Sequence, residues 1–435
     1  MTKYLKGVTL TYTVQIVALA LTFIINIVIV RTLGASGKGV IALLQNYFLI
    51  VVVIFIFGMS EGNIYFLGNK RYKHSDVFSN VIFHTIAISL IVLTISIFLK
   101  NWLIIHFLKN IDEDYYITAL WLFPSFFFFL HITTMLLGHK NIVGFNIVTV
   151  ARFIFMLLLL FVLIPLYHIN GALIAIIAGF IIANIIGIRY LLKCGMPSGF
   201  INFNFLKSTF IFGSKSQIGL ILNRIDRRLD IFIINLFLNP TQVGYYAIAV
   251  AVAELPWHIS NAIATVLFPE VSGMIEKDAY RFTSFICRNA IFVIFFFGIL
   301  LFIVGGVLIK VIFGPEFTAS IISFRILIIG AVIFSINKIL CAGFSGTGRP
   351  EYGTYTAVFS AITTIILDLL FIPAMGIKGA AIASAIAYTI STATGIMLFR
   401  KMSNLPLGAF LLVTYDDIRK YPELIAKFIG RLKNV

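Results

Sequence analysis

The chain has 435 residues and a formal net charge of +16, yet only 11% of its residues are charged and 60% are hydrophobic. Soluble domains carry about a quarter of charged residues, and apolar runs of about 18 residues recur along this chain, so a soluble globular fold is excluded. Such a charge would suggest nucleic acid in a soluble protein, but in a membrane protein it directs attention to where the cations lie, and no nucleic-acid partner is expected.

Twelve membrane-spanning helices are predicted in chain order. The first, Val8–Val30, is longer than the roughly 7–15 residues of a signal-peptide core, so we expect an uncleaved span. Short polar or Gly/Pro turns separate the spans. Their approximate bounds are 8–30, 40–66, 78–99, 117–137, 142–164, 171–192, 208–238, 244–269, 283–309, 319–343, 352–373 and 378–399.

The lysines and arginines predict the orientation of these spans. With the N-terminus inside, nineteen of them fall on the cytoplasmic side and six, including Arg31 and Lys38, in outer turns. The positive-inside rule therefore predicts that both termini are cytoplasmic. The tail, 403–435, carries basic residues beside apolar residues at helical spacing, which predicts an amphipathic helix on the anionic inner leaflet or, alternatively, a weakly ordered cytoplasmic end.

An internal repeat is visible in three landmarks. IPLYHINGALIA (Ile164–Ala175) matches IPAMGIKGAAIA (Ile372–Ala383), 208 residues later. Leu33 and Gly39 fall opposite Leu238 and Gly244, and the turn GHKN recurs as GRPE. We therefore predict an all-α polytopic membrane protein with two parallel six-helix repeats around a central cavity, divided into an N-terminal lobe (1–205), a C-terminal lobe (206–402) and the tail.

The stretch NRIDRRLD (Asn223–Asp230) places five charges inside the seventh predicted span. The repeat aligns it with the middle of the first span, although two short segments joined by an aqueous loop are the alternative. On a continuous helix, Arg224, Arg227 and Arg228 share an arc of about 100°, and arginine forks match phosphate oxygens. This arrangement predicts an anion-binding face with Asp230 bracing Arg227, or else interhelical ion pairs that only hold the bundle together.

Other polar residues inside the spans are candidates for the same site. Arg152 and Lys215 are predicted to bind substrate with the three arginines, whereas Arg288, Lys338 and Arg325 can extend their charges to the membrane surface. His84 and His131 are predicted interhelical hydrogen-bonders. No catalytic, metal-binding or cofactor-binding pattern occurs. Parallel repeats around a cavity are typical of alternating-access transporters, for which H⁺ or Na⁺ is the candidate coupling ion. The candidate coupling acids are Asp226, Asp230, Glu254, Glu61 and Asp368.

Several segments together resemble the Wzx-type polysaccharide transporters of the multidrug/oligosaccharidyl-lipid/polysaccharide (MOP) exporter superfamily. They are VRTLGASGKGVIAL, the stretch from NRIDRRLD to GYYAIA, LFPEVSGM, GTGRPEY and IPAMGIKGAAIA. The resemblance implies a flippase for undecaprenyl-pyrophosphate-linked oligosaccharide in the bacterial plasma membrane, serving O-antigen or capsule synthesis. Membrane lipids, a glycan polymerase and a chain-length regulator are the implied partners.

Three alternatives stay open on the sequence. A multidrug exporter of the same superfamily is one, although cationic drugs favour acidic cavities. A membrane glycan polymerase would need a substantial outer loop for chemistry, whereas the longest predicted outer segment is Lys100–Tyr116. A flippase of the peptidoglycan-precursor branch is the third alternative, but members of that branch usually carry two further helices.

Overall fold

The chain folds entirely into helices wherever the structure describes it. The computed structural model describes residues 2–68, 72, 74–195, 199–415, 417 and 419, and these contain no strand. The predicted all-α class is confirmed. Two compact units are present, one comprising Met1–Ala247 with Ile312–Glu316 and the other Ile248–Val311 with Phe317–Val435. The predicted lobes divide the chain at 205/206 instead, and that boundary stays a prediction about where the repeats join.

Unit 1 contains the helices of the first seven predicted spans and the start of the eighth. They are α1 (Thr2–Phe55), α2 (Met59–Gly68), α3 (His74–Phe98), α4 (Lys100–His106), α5 (Glu113–Leu120), α6 (Leu122–Gly138), α7 (Ile142–Lys193), α8 (Phe203–Asp226), α9 (Leu229–Phe237) and α10 (Pro240–Ala253), which ends in unit 2. Unit 2 continues with α11 (Leu255–Ser272), α12 (Glu276–Leu308), α13 (Ser320–Gly346), α14 (Glu351–Met375), α15 (Ile377–Ser403) and α16 (Gly408–Leu411).

Each predicted span has a helical counterpart, but several helices are broken. Among the described residues, eight helices, or nine with the bent pair α10 and α11, are long and apolar enough to cross a membrane. Within α1 the backbone leaves helical geometry at Gly34 (φ 65°), and within α7 it does so at His168 (φ 50°). Each of these long helices therefore supplies two of the predicted spans. The bend between α10 and α11 is 46°, and Pro256 stands at the second residue of α11.

The predicted repeat has the same backbone in both copies. Pro165 interrupts α7 three residues before His168, and Pro373 interrupts α14 three residues before Gly376, whose φ is 61°. Proline removes one helical hydrogen bond, so the chain turns sharply at both places. The turn brings Gly171 so close that an added Cβ would lie 2.0 Å from the Leu163 oxygen. A Cβ added at Gly379 would likewise lie 2.2 Å from the carbonyl oxygen of Phe371.

A second pair of repeat-related glycines forms a reciprocal crossing within unit 1. A Cβ added at Gly39 would lie 1.7 Å from the carbonyl oxygen of Pro240, and one at Gly244 would lie 1.9 Å from that of Ala35. Under the repeat, Gly39 exchanges with Gly244 and Ala35 with Pro240, so each copy contributes the same half of the contact. The backbones touch directly because neither glycine carries a side chain.

The C-terminal segment is anchored in unit 2 as far as Asp417. Phe410 is fully buried against Phe399, with ring centroids 5.1 Å apart. Arg288 donates from Nε to Asp417 Oδ2 (2.6 Å), from Nη2 to Oδ1 (2.9 Å) and from Nη1 to the Ala409 carbonyl (3.0 Å).

This anchoring leaves two predictions open. A bidentate carboxylate of the tail holds Arg288, and the extension of its charge to the membrane surface stays a prediction. Residues 416, 418 and 420–435, which carry most of the predicted amphipathic helix, lie outside the described residues.

The glycine crossing gives a first prediction. Gly39→Ala should lower the free energy of unfolding by about 1–3 kcal/mol, because the new methyl group must push the two backbones apart. Thermal unfolding in detergent measures this change. Gly68→Ala is the control, since nothing lies within 4 Å of an added Cβ there. Equal stability of the two variants would contradict direct backbone contact at the crossing.

The tail contact gives a second prediction. A hydrogen bond from Arg288, with further bonds from Thr414, holds the pKa of the buried Asp417 carboxyl well below its usual 3.8. Because the folded-state pKa is depressed, the contribution of Asp417 to anchoring is complete above about pH 3.8 and disappears as the pH falls below it. The protection of residues 405–415 against hydrogen exchange, relative to the intrinsic rate at each pH, should therefore stay constant from neutral pH down to about 4 and fall below it.

The matching variants separate this ion pair from a general acid effect. Asp417→Asn should show fast exchange of the same segment already at neutral pH, whereas the exposed Glu270→Gln should behave like the parent protein. Slow exchange in Asp417→Asn at neutral pH would show that Phe410 alone anchors the segment.

Candidate functional site: a cation-lined cavity in unit 1

A cavity of about 240 Å³ lies among α1, α6 and α7 in unit 1. Its lining combines two cations with neutral polar and aromatic side chains. The lining residues are Thr22, Ile25, Asn26, Ile29, Lys38, Gln45, Phe48, Leu49, Leu122, Phe126, Arg152, Phe153, Met156, Ile176 and Phe180. No carboxylate stands among these residues. The cavity is therefore suited to an anion with an adjoining apolar or ring-shaped part.

Lys38 reaches the cavity because α1 breaks at Gly34. The side chain is 7% exposed, and its Nζ donates to Asn26 Oδ1 at 2.6 Å. Asn26 is itself oriented, since its Nδ2 donates to the Thr22 carbonyl at 2.8 Å. An ammonium group has three donors, and the described contacts of Lys38 assign one of them. The others remain for a bound anion.

Arg152 stands among three phenylalanine rings. Its guanidinium carbon lies 4.0 Å from the ring centroid of Phe153, 4.8 Å from that of Phe129 and 4.9 Å from that of Phe180. Cation–π contacts of this kind contribute about 0.5–2 kcal/mol each. The buried Nε finds no hydrogen-bond acceptor among the described residues. The rings hold the charge in place without neutralising it.

The two cations make the cavity electropositive. A charge inside a membrane protein is costly unless it is paired, and pairing here is with amides and rings rather than carboxylates. The positive charge of Arg228 also acts on Lys38. A bound phosphate would relieve this repulsion and accept charge-assisted hydrogen bonds.

The predicted continuous arginine helix was wrong. Arg227 caps the end of α8 and Arg228 precedes the first residue of α9, with φ of −143° and ψ of 1° at Arg228, so the helix is broken at these two residues. Arg224 and Arg228 are thus not i,i+4 neighbours on one face. The break frees polar backbone groups, and Arg228 Nη1 donates to the Arg227 carbonyl at 3.2 Å, which satisfies one of them. Of the alternative reading, the division into two helical segments is confirmed, and an aqueous setting for the link between them stays a prediction.

Asp230 has contacts of its own at this break. It is 3% exposed and accepts from the Tyr246 hydroxyl at 2.7 Å and from the Ile231 backbone N–H at 2.8 Å. The carboxylate therefore satisfies one of the free N–H groups in the first turn of α9. Bracing of Arg227 by Asp230 stays a prediction.

The remaining predicted residues are dispersed. Glu254 lies at the break between α10 and α11, half-buried, and Asp368 is fully buried on α14. Lys338 lies 4.7 Å from the Trp257 ring centroid and donates to Asn261. The side chains of Lys215, Asp226 and Glu61 lie outside the described residues.

Of the predicted substrate-binding set, Arg152 lines the cavity, while Arg224, Arg227 and Arg228 are half-buried around the helix break. Sequence reasoning missed Lys38, Asn26 and Gln45, because Lys38 was assigned to an outer turn. A signal was present: Lys38 and Gln45 are seven residues apart and form a polar stripe on an otherwise apolar helix.

Comparison with known proteins places the chain in a family. Residues 28–322 match the family described as "Polysaccharide biosynthesis protein", and the chain belongs to it. The "Probable low-salt glycan biosynthesis flippase Agl15" of Haloferax volcanii is 27% identical over 197 residues, which are 44% of this chain and 41% of that protein. The "Uncharacterized membrane protein MJ1068" of Methanocaldococcus jannaschii is 25% identical over 45% of this chain and 40% of that protein. Each match thus spans less than half of the relative's length.

Solved structures show the same fold at low identity. "Lipid II flippase MurJ, inward closed conformation" aligns with a TM-score of 0.74 and 15% identity, covering 92% of this chain and 90% of that one. An inward-facing multidrug resistance MATE transporter of the MOP superfamily aligns with a TM-score of 0.72 and 14% identity, covering 89% and 95%. The predicted MOP fold and the resemblance to its polysaccharide transporters are confirmed.

The contact of Asp230 gives a third prediction. Tyr246→Phe removes one donor from a buried carboxylate, and it should lower the free energy of unfolding by about 1–3 kcal/mol. Thermal unfolding in detergent measures this, with Tyr355→Phe as the control because Tyr355 is half exposed. An unchanged unfolding midpoint in Tyr246→Phe would show that this hydrogen bond does not stabilise α9.

Proposed function

We propose that this protein is a flippase that carries a lipid-linked oligosaccharide across the membrane by alternating access, and that the phosphate of the substrate binds in the cation-lined cavity. The observation that carries the proposal is that the buried Lys38 and the half-buried Arg152 line one cavity whose described lining holds no carboxylate. Family membership and the name of the Haloferax relative support the same substrate class.

Chemically distinct side chains of the cavity would contact different parts of the substrate. Lys38 supplies a point charge, and Arg152 supplies a planar fork that its three phenylalanine neighbours hold in position. A sugar ring can stack on Phe48 or Phe126, while Gln45 and Asn26 offer amide hydrogen bonds to hydroxyl groups. The polyprenyl chain stays in the bilayer, since transferring it into a polar cavity would cost about 0.8 kcal/mol per CH₂ group.

The specific form of the proposal is an undecaprenyl-pyrophosphate-linked repeat unit, moved outward across a bacterial plasma membrane for O-antigen or capsule synthesis. Both termini are then cytoplasmic, and a glycan polymerase and a chain-length regulator act on the product. An ion gradient, of H⁺ or Na⁺, or the membrane potential drives the cycle. Export of cationic drugs fits the cavity poorly, because Lys38 and Arg152 would repel them.

The fourth prediction tests the cations. In a strain whose own copy of the gene is deleted, Arg152→Gln and Lys38→Gln should each reduce surface glycan per molecule of protein at least about tenfold, the loss expected from one charge-assisted hydrogen bond. Arg228→Glu should abolish it, since a carboxylate beside Lys38 would repel the phosphate and pair with the lysine in its place. Surface glycan is measured by lectin labelling, and protein in the membrane by immunoblot.

Arg325→Gln is the matched control, because that arginine is exposed in unit 2 and lines no part of this cavity. It should support surface glycan at the parent level. Parent-level glycan in both Arg152→Gln and Lys38→Gln would overturn the assignment of the cavity. Loss of drug resistance without loss of glycan would identify an exporter instead.

A further inference from the structure

A second polar cluster lies in unit 1, built by α2, α3 and α6. His131 is 1% exposed and Asn63 is fully buried. The ring of His84 stands edge-on to that of His131, with centroids 5.4 Å apart. Two imidazoles buried side by side in an apolar bundle are costly unless they have a use. We refer to His84, His131 and Asn63 as the imidazole cluster.

The hydrogen bonds of the imidazole cluster are incomplete. Asn63 Nδ2 lies 3.3 Å from His131 Nδ1 and donates to Thr134 Oγ1 at 3.4 Å. His131 Nε2, His84 Nδ1 and Asn63 Oδ1 are buried without a hydrogen-bond partner among the described residues. With the Asn63 amide placed as it is, Nδ2 can only donate, so His131 Nδ1 is assigned as the acceptor, an arrangement that requires a neutral ring with its proton on Nε2.

The same arrangement can accept one proton with little movement. A proton taken up by the lone pair of His131 Nδ1 turns that atom into a donor. Rotation of the Asn63 amide by about 180° then presents Oδ1, which has no described partner in the neutral state, as the acceptor. Amide nitrogen and oxygen are nearly equal in size, so the rotation needs no rearrangement of the surrounding core.

The surroundings limit the imidazole cluster to a single proton. The rings of His84 and His131 lie 5.4 Å apart, and two imidazolium rings at this separation repel each other strongly. On the packed neighbours, the side chains of Glu61 in α2 and Lys215 in α8 lie outside the described residues. The pair is therefore expected to titrate as one unit.

The imidazole cluster is mechanically connected to the helix break that carries the arginines. Asn63 belongs to α2, whose start follows a break at Phe57 (φ 49°) and Gly58 (φ 68°). Gln217 of α8 bridges this break, accepting from the Gly58 N–H at 3.1 Å and donating to the Val53 carbonyl. A change in how Asn63 binds α6 therefore acts on α8, which ends at Arg227.

We propose that the imidazole cluster is a proton-binding site, in which His131 takes up one proton shared with His84, Asn63 reorients to stabilise it, and α2 transmits the change to α8. As a coupling site it rests on the proposed function, whereas proton binding itself does not. Intramembrane histidines serve such relays in other membrane proteins. This site differs from the carboxylates that the sequence suggested for ion coupling.

Proton binding is tested first, on the full-length protein in lipid nanodiscs with ¹⁵N-labelled histidine. The signal missing from His131→Gln identifies His131, and it should change from neutral to protonated between about pH 8 and pH 4. In Asn63→Leu the His131 signal should stay that of a neutral ring over this range, because the amide oxygen that would accept from the protonated Nδ1 is lost. The exposed His106→Gln is the control and should leave the His131 titration unchanged.

Two outcomes overturn the site. One is that neither His84 nor His131 changes state over this range in the parent protein. The other is that Asn63→Leu titrates like the parent, which would remove the role of the amide. A fully formed His131 titration that disappears with Asn63 establishes the site whether or not any substrate is known.

Coupling is tested in proteoliposomes with a fluorescent polyprenyl-pyrophosphate oligosaccharide as the probe. In the parent an imposed pH gradient should accelerate flipping, and in His131→Gln this acceleration should fall at least about fivefold. A membrane potential imposed with potassium and valinomycin should still act on the variant. Unchanged pH-driven flipping in His131→Gln overturns coupling through this site. Absence of flipping in the parent protein would instead count against the proposed function, leaving the titration result in place.

Discussion

Unsatisfied backbone groups at helix breaks govern the design of unit 1. Inside an apolar bundle no water is at hand for a freed N–H or carbonyl, so each break must bring its own partner. Glu316 accepts from the Ala35 N–H at 3.2 Å beside the break at Gly34. Gln217 accepts from the Gly58 N–H at the break before α2, and Arg228 donates to the Arg227 carbonyl at the break between α8 and α9. The polar side chains in this apolar sequence thus supply the hydrogen bonds that the helix breaks require. The break at Gly34 in turn brings Lys38 to the cavity.

The repeat duplicated this backbone but not its chemistry. His168 and Gly376 adopt the same unusual conformation after a proline, and Gly39 and Gly244 make the same crossing. The charges follow no such rule. Lys38 falls opposite Val243, and the buried Asp368 falls opposite Leu160. A cation-lined cavity in one repeat and a buried carboxylate in the other show that the two copies kept the same backbone turns while their polar side chains diverged.

Much of the fold could be predicted from the sequence, because span length and repeat landmarks depend on local composition. The prolines at 165 and 373 and the glycines six residues after each marked the sharp turns correctly. The candidate site was harder. Arg152 was recognisable as an isolated cation in an apolar run, but Lys38 sat beside four small residues that resemble a surface turn. The segment NRIDRRLD was assigned to the correct span but with the wrong geometry. Helical periodicity assumes a continuous helix, so it cannot detect the break at Arg227 and Arg228, where the Arg228 side chain bonds the Arg227 carbonyl.

The sign of the cavity charge has a consequence for energetics. If Lys38 and Arg152 stay with the protein during the cycle, the charge that crosses the membrane is that of the phosphate group. With the cell interior negative, outward movement of each negative charge is favoured by about 2.3 kcal/mol per 100 mV. The two cations therefore do not drive transport. They lower the free-energy cost of removing the phosphate from water. Without them, that cost would work against the outward movement that the potential favours. An additional proton at His131 would be needed chiefly for the return of the empty protein, because that step has no substrate charge on which the potential can act.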